Sequence, residues 1–339
     1  MARESKSRFR RNITVLLAVA IFGIAGFAVS RTALSSGGGA TQLRTGNATP
    51  IAKQPGSRPG VKAAEPTKQL SPAVNRGVLV FTSGGYVGGL NAITNVGSTN
   101  DLMNLTYTFD RDPIFSPDGN KIVFASYRDG EQGSGDHQLY SMNPNGYDQT
   151  KLTDIPGFKE TFAYSPDSSK IVFVSDGDLW TMNSDGSGIT EIVDFANWIA
   201  EPQYSPDGTK IIFIYDGTVW QVDPNGTNGA ELGNQGGKER ARFSPDGTKI
   251  VFAANQEIYT MNSDGTNEVK IIDDDTVGHS LDRPVYSPDG TKILMECRDI
   301  QVNYCTADAD GNNFQTLGGT VFERSYAAWS PDSSNIAFI

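Results

Sequence analysis

The chain has 339 residues, among them 37 glycines, 17 prolines and only two cysteines and two histidines, and carries a formal net charge of −11. Residues 1–76 hold 12 basic side chains against Glu4 and Glu65, whereas residues 77–339 hold 16 basic against 37 acidic, a net of −21. A body this acidic repels phosphate backbones, which argues against a nucleic-acid partner, and a glycine-rich chain with few helix-favouring runs points to short strands joined by turns.

In chain order, residues 1–12 (MARESKSRFRRN) place Arg3, Lys6, Arg8, Arg10 and Arg11 before an uncharged apolar run of 17 residues, Ile13 to Val29. That run is just long enough to cross a bilayer, and its basic flank favours a cytoplasmic N-terminus. Segment 13–30 is therefore expected to be a single-pass signal anchor. Ala28-Val29-Ser30 leaves open a cleaved signal peptide, and with it a secreted or periplasmic product. Either way the remainder is expected outside the cytoplasm. Residues 31–76 are rich in Ser, Gly, Thr, Pro and Ala without apolar periodicity, the composition of a disordered linker.

From residue 77 onward one phrase recurs: SPDG or SPDS begins at Ser116, Ser165, Ser205, Ser244, Ser287 and Ser330. Each copy is a tight turn, with Pro presetting φ and Gly accepting positive φ. A β-branched and aromatic run follows (KIVFA in the copy at Ser244), then a second strand (EIYTMN), a polar turn (NSDG) and a third strand (VKII). The segment before each SPD supplies a fourth strand. Four strands per repeat of about 40 residues describe a propeller blade. Residues 77–107 add three strands and AAWSPDSSNIAFI adds two, so 25 strands are expected, one more than six closed blades hold. The expected fold is an all-β, six-bladed β-propeller over 77–339, with AAW completing the first blade. Seven blades, or a truncated propeller, are the alternatives.

The pattern F/Y-S-P-D-G-x-x-I-x-F, then L-Y/W-x-M-N-x-D-G, then L-T resembles the WD40-like PD40 repeat of TolB-type β-propellers. The resemblance covers about residues 76–339. It implies cell-envelope scaffolding through protein contacts, in that family with a peptidoglycan-associated lipoprotein. TolB-type proteins carry a small α/β domain before the propeller, whereas residues 31–76 have the composition of a linker; this departs from the family pattern.

The repeated aspartates (Asp118, Asp167, Asp207, Asp246, Asp289 and Asp332) each occupy a fixed turn position, so turn chemistry explains them without catalysis. Charged residues just before the innermost strands are more informative: Arg111, Asp112, Glu160, Glu201, Glu239, Arg240, Asp282, Arg283 and Arg324. Together they are expected to ring the mouth of the axial channel with mixed charge, suited to a polar or basic segment. Cys297 and Cys305 lie on two predicted antiparallel strands, where a disulfide or two buried thiols are both expected outcomes. Metal and cofactor sites are not expected from two histidines and two cysteines. No G-x-S-x-G elbow, phosphate-binding loop or H-E-x-x-H helix occurs.

The sequence thus reads as a membrane-tethered, monomeric, non-catalytic binding module for a protein, peptide or cell-envelope glycan. The alternative is the N-terminal propeller of an oligopeptidase-like hydrolase whose catalytic domain lies outside these residues. A propeller glycosidase or lyase would need a carboxylate cluster that the regular spacing does not supply.

Overall fold

Each SPD motif closes a hairpin by the same bonds. In the first copy the Gly119 N–H donates to the Ser116 carbonyl at 2.8 Å, and the Ser116 N–H donates to the Lys121 carbonyl at 2.8 Å. The Ser116 hydroxyl donates to Asp118 Oδ1 at 2.6 Å and accepts the Lys121 N–H at 2.9 Å. Gly119 takes φ +73°, and Ser168 and Ser333 take +62° and +60° at the matching position of the SPDS copies.

The computed structural model describes residues 79–82, 89–93, 102–106, 110–129, 137–195, 197–234, 236–298, 302–321 and 327–338. Segments 1–12, 13–30 and 31–76 and residue Arg324 lie outside the described residues, so the expected anchor and linker have no structural counterpart here. Among the described residues, no helix is long and apolar enough to cross a membrane.

A three-stranded sheet comes first: β1 (Leu79–Thr82), β2 (Leu90–Ile93) and β3 (Leu102–Asn104). Blade one follows, with β4 (Asp110–Phe115), β5 (Ile122–Ser126), β6 (Gln138–Met142) and β7 (Thr150–Lys151). Blade two holds β8 (Lys159–Tyr164), β9 (Lys170–Ser175), β10 (Asp178–Asn183) and β11 (Thr190–Val193). Blade three holds β12 (Ile199–Tyr204), β13 (Ile211–Tyr215), β14 (Thr218–Val222) and β15 (Ala230–Leu232). Blade four holds β16 (Lys238–Phe243), β17 (Lys249–Ala254), β18 (Glu257–Asn262) and β19 (Val269–Ile272). A helical turn, α1 (Asp274–Val277), leads into blade five: β20 (Ser280–Tyr286), β21 (Lys292–Arg298), β22 (Val302–Asp308) and β23 (Gln315–Val321). A hairpin of β24 (Ala327–Trp329) and β25 (Ile336–Phe338) comes last.

All ladders are antiparallel between consecutive strands, and 25 strands occur among the described residues. Among the described residues the complete blades number five, not six. The expectation that AAW closes the first blade is corrected: Ala327–Trp329 pairs with Ile336–Phe338, and β1 to β3 remain a three-stranded sheet. The reason is local. The SPDS turn at Ser330 brings its own two flanks into register, Trp329 opposite Ile336, as in every other copy.

Hydrophobic cores lie between consecutive sheets rather than inside any one of them. In β17, Val251 and Ala253 pack toward blade five with Leu281, Ile293 and Met295, whereas Ile250, Phe252 and Ala254 pack toward blade three with Ile212 and Val219. A strand buried on both faces must be apolar at consecutive positions, which is why the second strand of each blade reads IVFAS, KIVFVS, IIFIY or KIVFAA. The second turn is tied to the second strand within each blade. A lysine at or just before that strand donates to the first residue of the turn in each complete blade: Lys121 to Asn143 at 2.8 Å, Lys170 to Asn183 at 3.1 Å, Lys210 to Asp223 at 2.6 Å, Lys249 to Asn262 at 3.3 Å and Lys292 to Asp308 at 2.9 Å. Asp308 is therefore a hairpin-turn residue.

The SPD aspartates titrate below the ordinary carboxylate range, because the Ser hydroxyl and the backbone N–H two residues on both donate to the ionised form. Asp167 and Asp332 fall to about 2. A carboxylate depressed in the folded state adds stability above its unfolded value, and loses it as pH falls through the folded one. The thermal midpoint is therefore expected to hold down to pH 5 and to fall between about pH 4 and pH 2. Asp167→Asn lowers the midpoint at pH 7 and converges on the wild type near pH 2. A wild-type midpoint unchanged from pH 5 to pH 2 contradicts this.

Candidate binding site on the innermost strands

The strand preceding each SPD motif is the innermost of its blade: β8 lies beside β12, β12 beside β16 and β16 beside β20. Each carries a β-bulge near its start, at the same register in four blades and one residue earlier in blade two. The ladder shifts between Arg111 and Ile114, Lys159 and Phe162, Ala200 and Gln203, Glu239 and Arg242, and Asp282 and Val285. Four of the sequence-predicted residues occupy the bulge in left-handed conformation: Asp112, Glu201, Arg240 and Arg283, with φ between +52° and +57°. A side chain with a Cβ pays about 1–2 kcal/mol for that region. Strain repeated at one register of the axial strands marks the bulges as the feature to explain.

Among the described residues, most of the predicted charges fall into two groups of contacts. In blade one, Arg111 lies between the rings of Tyr127 and Phe158, 5.2 Å from each centroid, and its guanidinium meets His137 Nε2 at 3.2 Å and Asp112 at 3.5 Å. The second group joins blades three, four and five. Glu201 is bound by Arg240 and by Arg242, the latter at 3.2 Å. Glu296, on β21, is bound by Arg283 at 3.1 Å and Arg298 at 2.6 Å, and Arg298 also approaches Asp282 at 3.9 Å. The Glu201 and Glu296 side chains are 7% and 6% exposed, whereas the four arginine side chains keep 33–46% of their surface open. The acids thus lie beneath, with the arginines above them. Burial, and then the Arg283 charge, lower Arg240 from its ordinary value and Arg242 to about 10, which leaves both protonated at neutral pH.

Neighbouring innermost strands are tied at the same level. The Glu201 N–H donates to Thr161 Oγ1 at 3.2 Å, and the Phe243 N–H donates to Gln203 Oε1 at 3.0 Å. Glu239 is exposed at the edge of the second group. Glu160 lies in β8, with its side chain outside the described residues.

Sequence reasoning missed the residue six positions before each SPD serine, which is buried in every complete blade: Asp110, Lys159, Ile199, Lys238 and Leu281. Where it is charged it is compensated. Asp110 binds Arg128 at 2.8 Å, Lys159 donates to the Gly157 carbonyl at 2.8 Å, and Lys238 binds Glu268 at 3.1 Å. The repeats themselves held the signal, since two copies place Ile and Leu there. Arg242, Glu296 and Arg298 were also missed; Glu296 and Arg298 belong to the second strand of a blade, and only the register across β20 and β21 brings them to the axis.

Cys297 and Cys305 form a disulfide between β21 and β22, with Cα atoms 5.9 Å apart. Among the described residues, two carboxylate triads come within mutual reach: Asp178, Glu191 and Asp194, and Glu257, Asp273 and Asp274. The Lys270 ammonium binds Glu257 at 2.8 Å and Asp273 at 2.6 Å, which offsets part of the second triad's charge. Neither triad lies on an innermost strand.

The PD40 family, the TolB beta propeller domain, matches residues 90–256. The fold is similar to that of TolB from Acinetobacter baumannii, with a TM-score of 0.54 and 17% identity over 69% of this chain and 61% of that one. It is equally similar to a protein assigned as TolB from Agrobacterium tumefaciens, with a TM-score of 0.54 and 20% identity over 71% of this chain and 95% of that one. A segment of 68 residues is 43% identical to the uncharacterized peptidase YuxL of Bacillus subtilis, and spans 20% of this chain and 10% of that protein. Residues 90–256 thus belong to the TolB-like β-propeller family.

Proposed function

We propose that this TolB-type propeller is a non-catalytic binding module that takes a protein or peptide segment on its innermost strands. In the same proposal the module is held outside the cytoplasm by the apolar segment 13–30. The observation that carries this reading is the repeated bulge, which places charged side chains in strained conformation on adjacent axial strands. Rigid blades behind them supply the fixed geometry that recognition needs, and paired polar groups on such a face confer specificity.

The test is partner capture from the native cell envelope. Ala at Glu160 and Glu239 together is expected to weaken capture at least tenfold, about 1.4 kcal/mol, while the circular dichroism spectrum of the propeller is retained. Unchanged affinity in the folded double variant contradicts the reading.

The YuxL match supports a second reading, in which the propeller serves a hydrolase whose catalytic part lies outside these 339 residues. The intact mass of the native protein distinguishes the two. A mass matching this chain, or this chain less about 30 residues, favours the binding module. A chain heavier by a further domain favours the hydrolase.

A further inference from the structure

We infer that the cavity between blades four and five is a binding site for the lysine side chain of a peptide segment. The site lies at the SPD-turn end of the blades, outside the innermost-strand bulges, and stands on different residues from the reading above.

The cavity has a volume of about 570 Å³, within the range that holds a small ligand. Tyr286 lines it and is only 7% exposed, and its buried hydroxyl has no hydrogen-bond partner among the described residues. A buried hydroxyl left unbonded is costly, and a bound polar group returns that cost. Burial, and then the Asp246 charge, raise the phenol to about 12. It therefore stays protonated and offers its oxygen lone pairs as well as its proton.

The repeats explain why the cavity opens at this junction. In blade two the SPDS serine closes the corresponding gap: the Ser168 hydroxyl oxygen accepts the Asp118 N–H of blade one at 3.1 Å. Blade five has Gly290 at that position, where a Cβ would meet only Pro245, at 3.7 Å. Blade three has a glycine there too, Gly208, but Pro224 takes the place that Ala309 holds in blade five. Blades one and four carry Phe115 and Phe243 instead of the tyrosine. Only blade five combines the tyrosine with Gly290 and Ala309. Tyr164 of blade two also has a buried, unbonded hydroxyl, so the hydroxyl alone does not make the site.

The lining selects a cation. Asp246, Asp289 and Asp310 face the cavity against one cation, Lys249, whose ammonium is held by Asn262 at 3.3 Å. The surrounding body of −21 steers cations toward it. Pro245, Ile271 and Ala309 supply apolar wall for an alkyl stem, which a lysine presents below its charged head. A single phenol oxygen near Asp246 suits a compact ammonium, whereas the planar fork of an arginine asks for two parallel acceptors.

Ligand-detected NMR on the purified full-length chain tests this with acetyl-Gly-Lys-Gly-amide and its norleucine and arginine counterparts. The Lys peptide is expected to bind about tenfold more tightly than the norleucine peptide, roughly what the weakest charge-assisted hydrogen bonds return, and more tightly than the Arg peptide. Tyr286→Phe and Gly290→Ser are each expected to remove most of that preference. Other copies of the repeat carry the same residues at these positions, Phe115, Phe243 and Ser168, so the blade tolerates both changes. Tyr164→Phe, at the equivalent position of blade two, is expected to leave the preference unchanged. Equal binding of the Lys and norleucine peptides overturns the site. So does a preference that survives in both Tyr286→Phe and Gly290→Ser, or that falls as far in Tyr164→Phe, since the acidic surface at large would then account for it. An Arg peptide that binds as tightly as the Lys peptide overturns the assignment to lysine.

Discussion

Lys238→Met is expected to destabilise the propeller by about 3–5 kcal/mol, the cost of leaving one partner of a buried ion pair without the other. Lys238 is the first residue of β16 and its side chain is fully closed to solvent. Its ammonium meets Glu268 at 3.1 Å, donates to the Leu232 carbonyl at 3.3 Å and sits 5.5 Å from the centre of the Phe252 ring. Glu268 is itself only 5% exposed, and its other recorded bond comes from the Asn234 N–H at 2.9 Å. Removing the ammonium strands a carboxylate that water cannot reach. Making both sites apolar, as Lys238→Met with Glu268→Leu, removes the stranded charge and is expected to recover most of the loss. Denaturant midpoints of the wild type and the two variants measure this. A single variant within 0.5 kcal/mol of the wild type contradicts a dry, mutually dependent pair.

The second large effect concerns glycines in the turn between the third and fourth strands of a blade. Gly226 and Gly311 hold φ of +80° and +88°. A Cβ on Gly226 would lie 2.1 Å from the Ile192 carbonyl oxygen, and one on Gly311 would lie 2.0 Å from that of Ile271. Both oxygens belong to the outer strand of the preceding blade, so the obstacle is backbone and cannot swing aside. Gly119 has a comparable φ of +73° with nothing within 4 Å. Gly119→Ala should therefore cost only the conformational strain, about 1 kcal/mol. Gly226→Ala and Gly311→Ala add overpacking of about 1–3 kcal/mol and separate the blades locally. Their thermal midpoints should fall several degrees further than that of Gly119→Ala, at about 2–4 °C per kcal/mol in a body of this size. Equal shifts in all three variants would show that blade contact at this turn is dispensable.

Much of this architecture is legible in the residues because it is local. Pro at the second turn position, alternating apolar strands and the 40-residue period fix the blades one at a time, and a count of 25 strands can be read directly. Closure is not local. AAW can pair across the ring or with its own hairpin partner, and the SPDS turn at Ser330 decides for the hairpin. The same distinction runs through the site. Charges near the start of each innermost strand stand out in the aligned repeats, but an apolar-versus-charged pattern does not tell which of them sits on the bulge. Pro113, Pro202 and Pro284 held that information: a proline inside a strand marks an edge or a bulge, and each directly follows a left-handed residue. The acid–base pairing was illegible, since Glu201 meets Arg240 and Arg242 only through packing of blades some 40 residues apart. Read along the chain, Glu201 is an exposed recognition charge; in the fold it is a buried anchor for two arginines.

The account stands on the innermost strands being the binding face, and site-specific photo-crosslinking tests that most directly. A photoreactive residue at exposed Glu239, on the innermost strand of blade four, is compared in native envelopes with one at exposed Glu231, on the outer strand of blade three. The account predicts a defined protein adduct from position 239 and none from position 231. Adducts from position 231 alone, or in equal yield from both, would contradict it and move recognition to the outer rim of the blades.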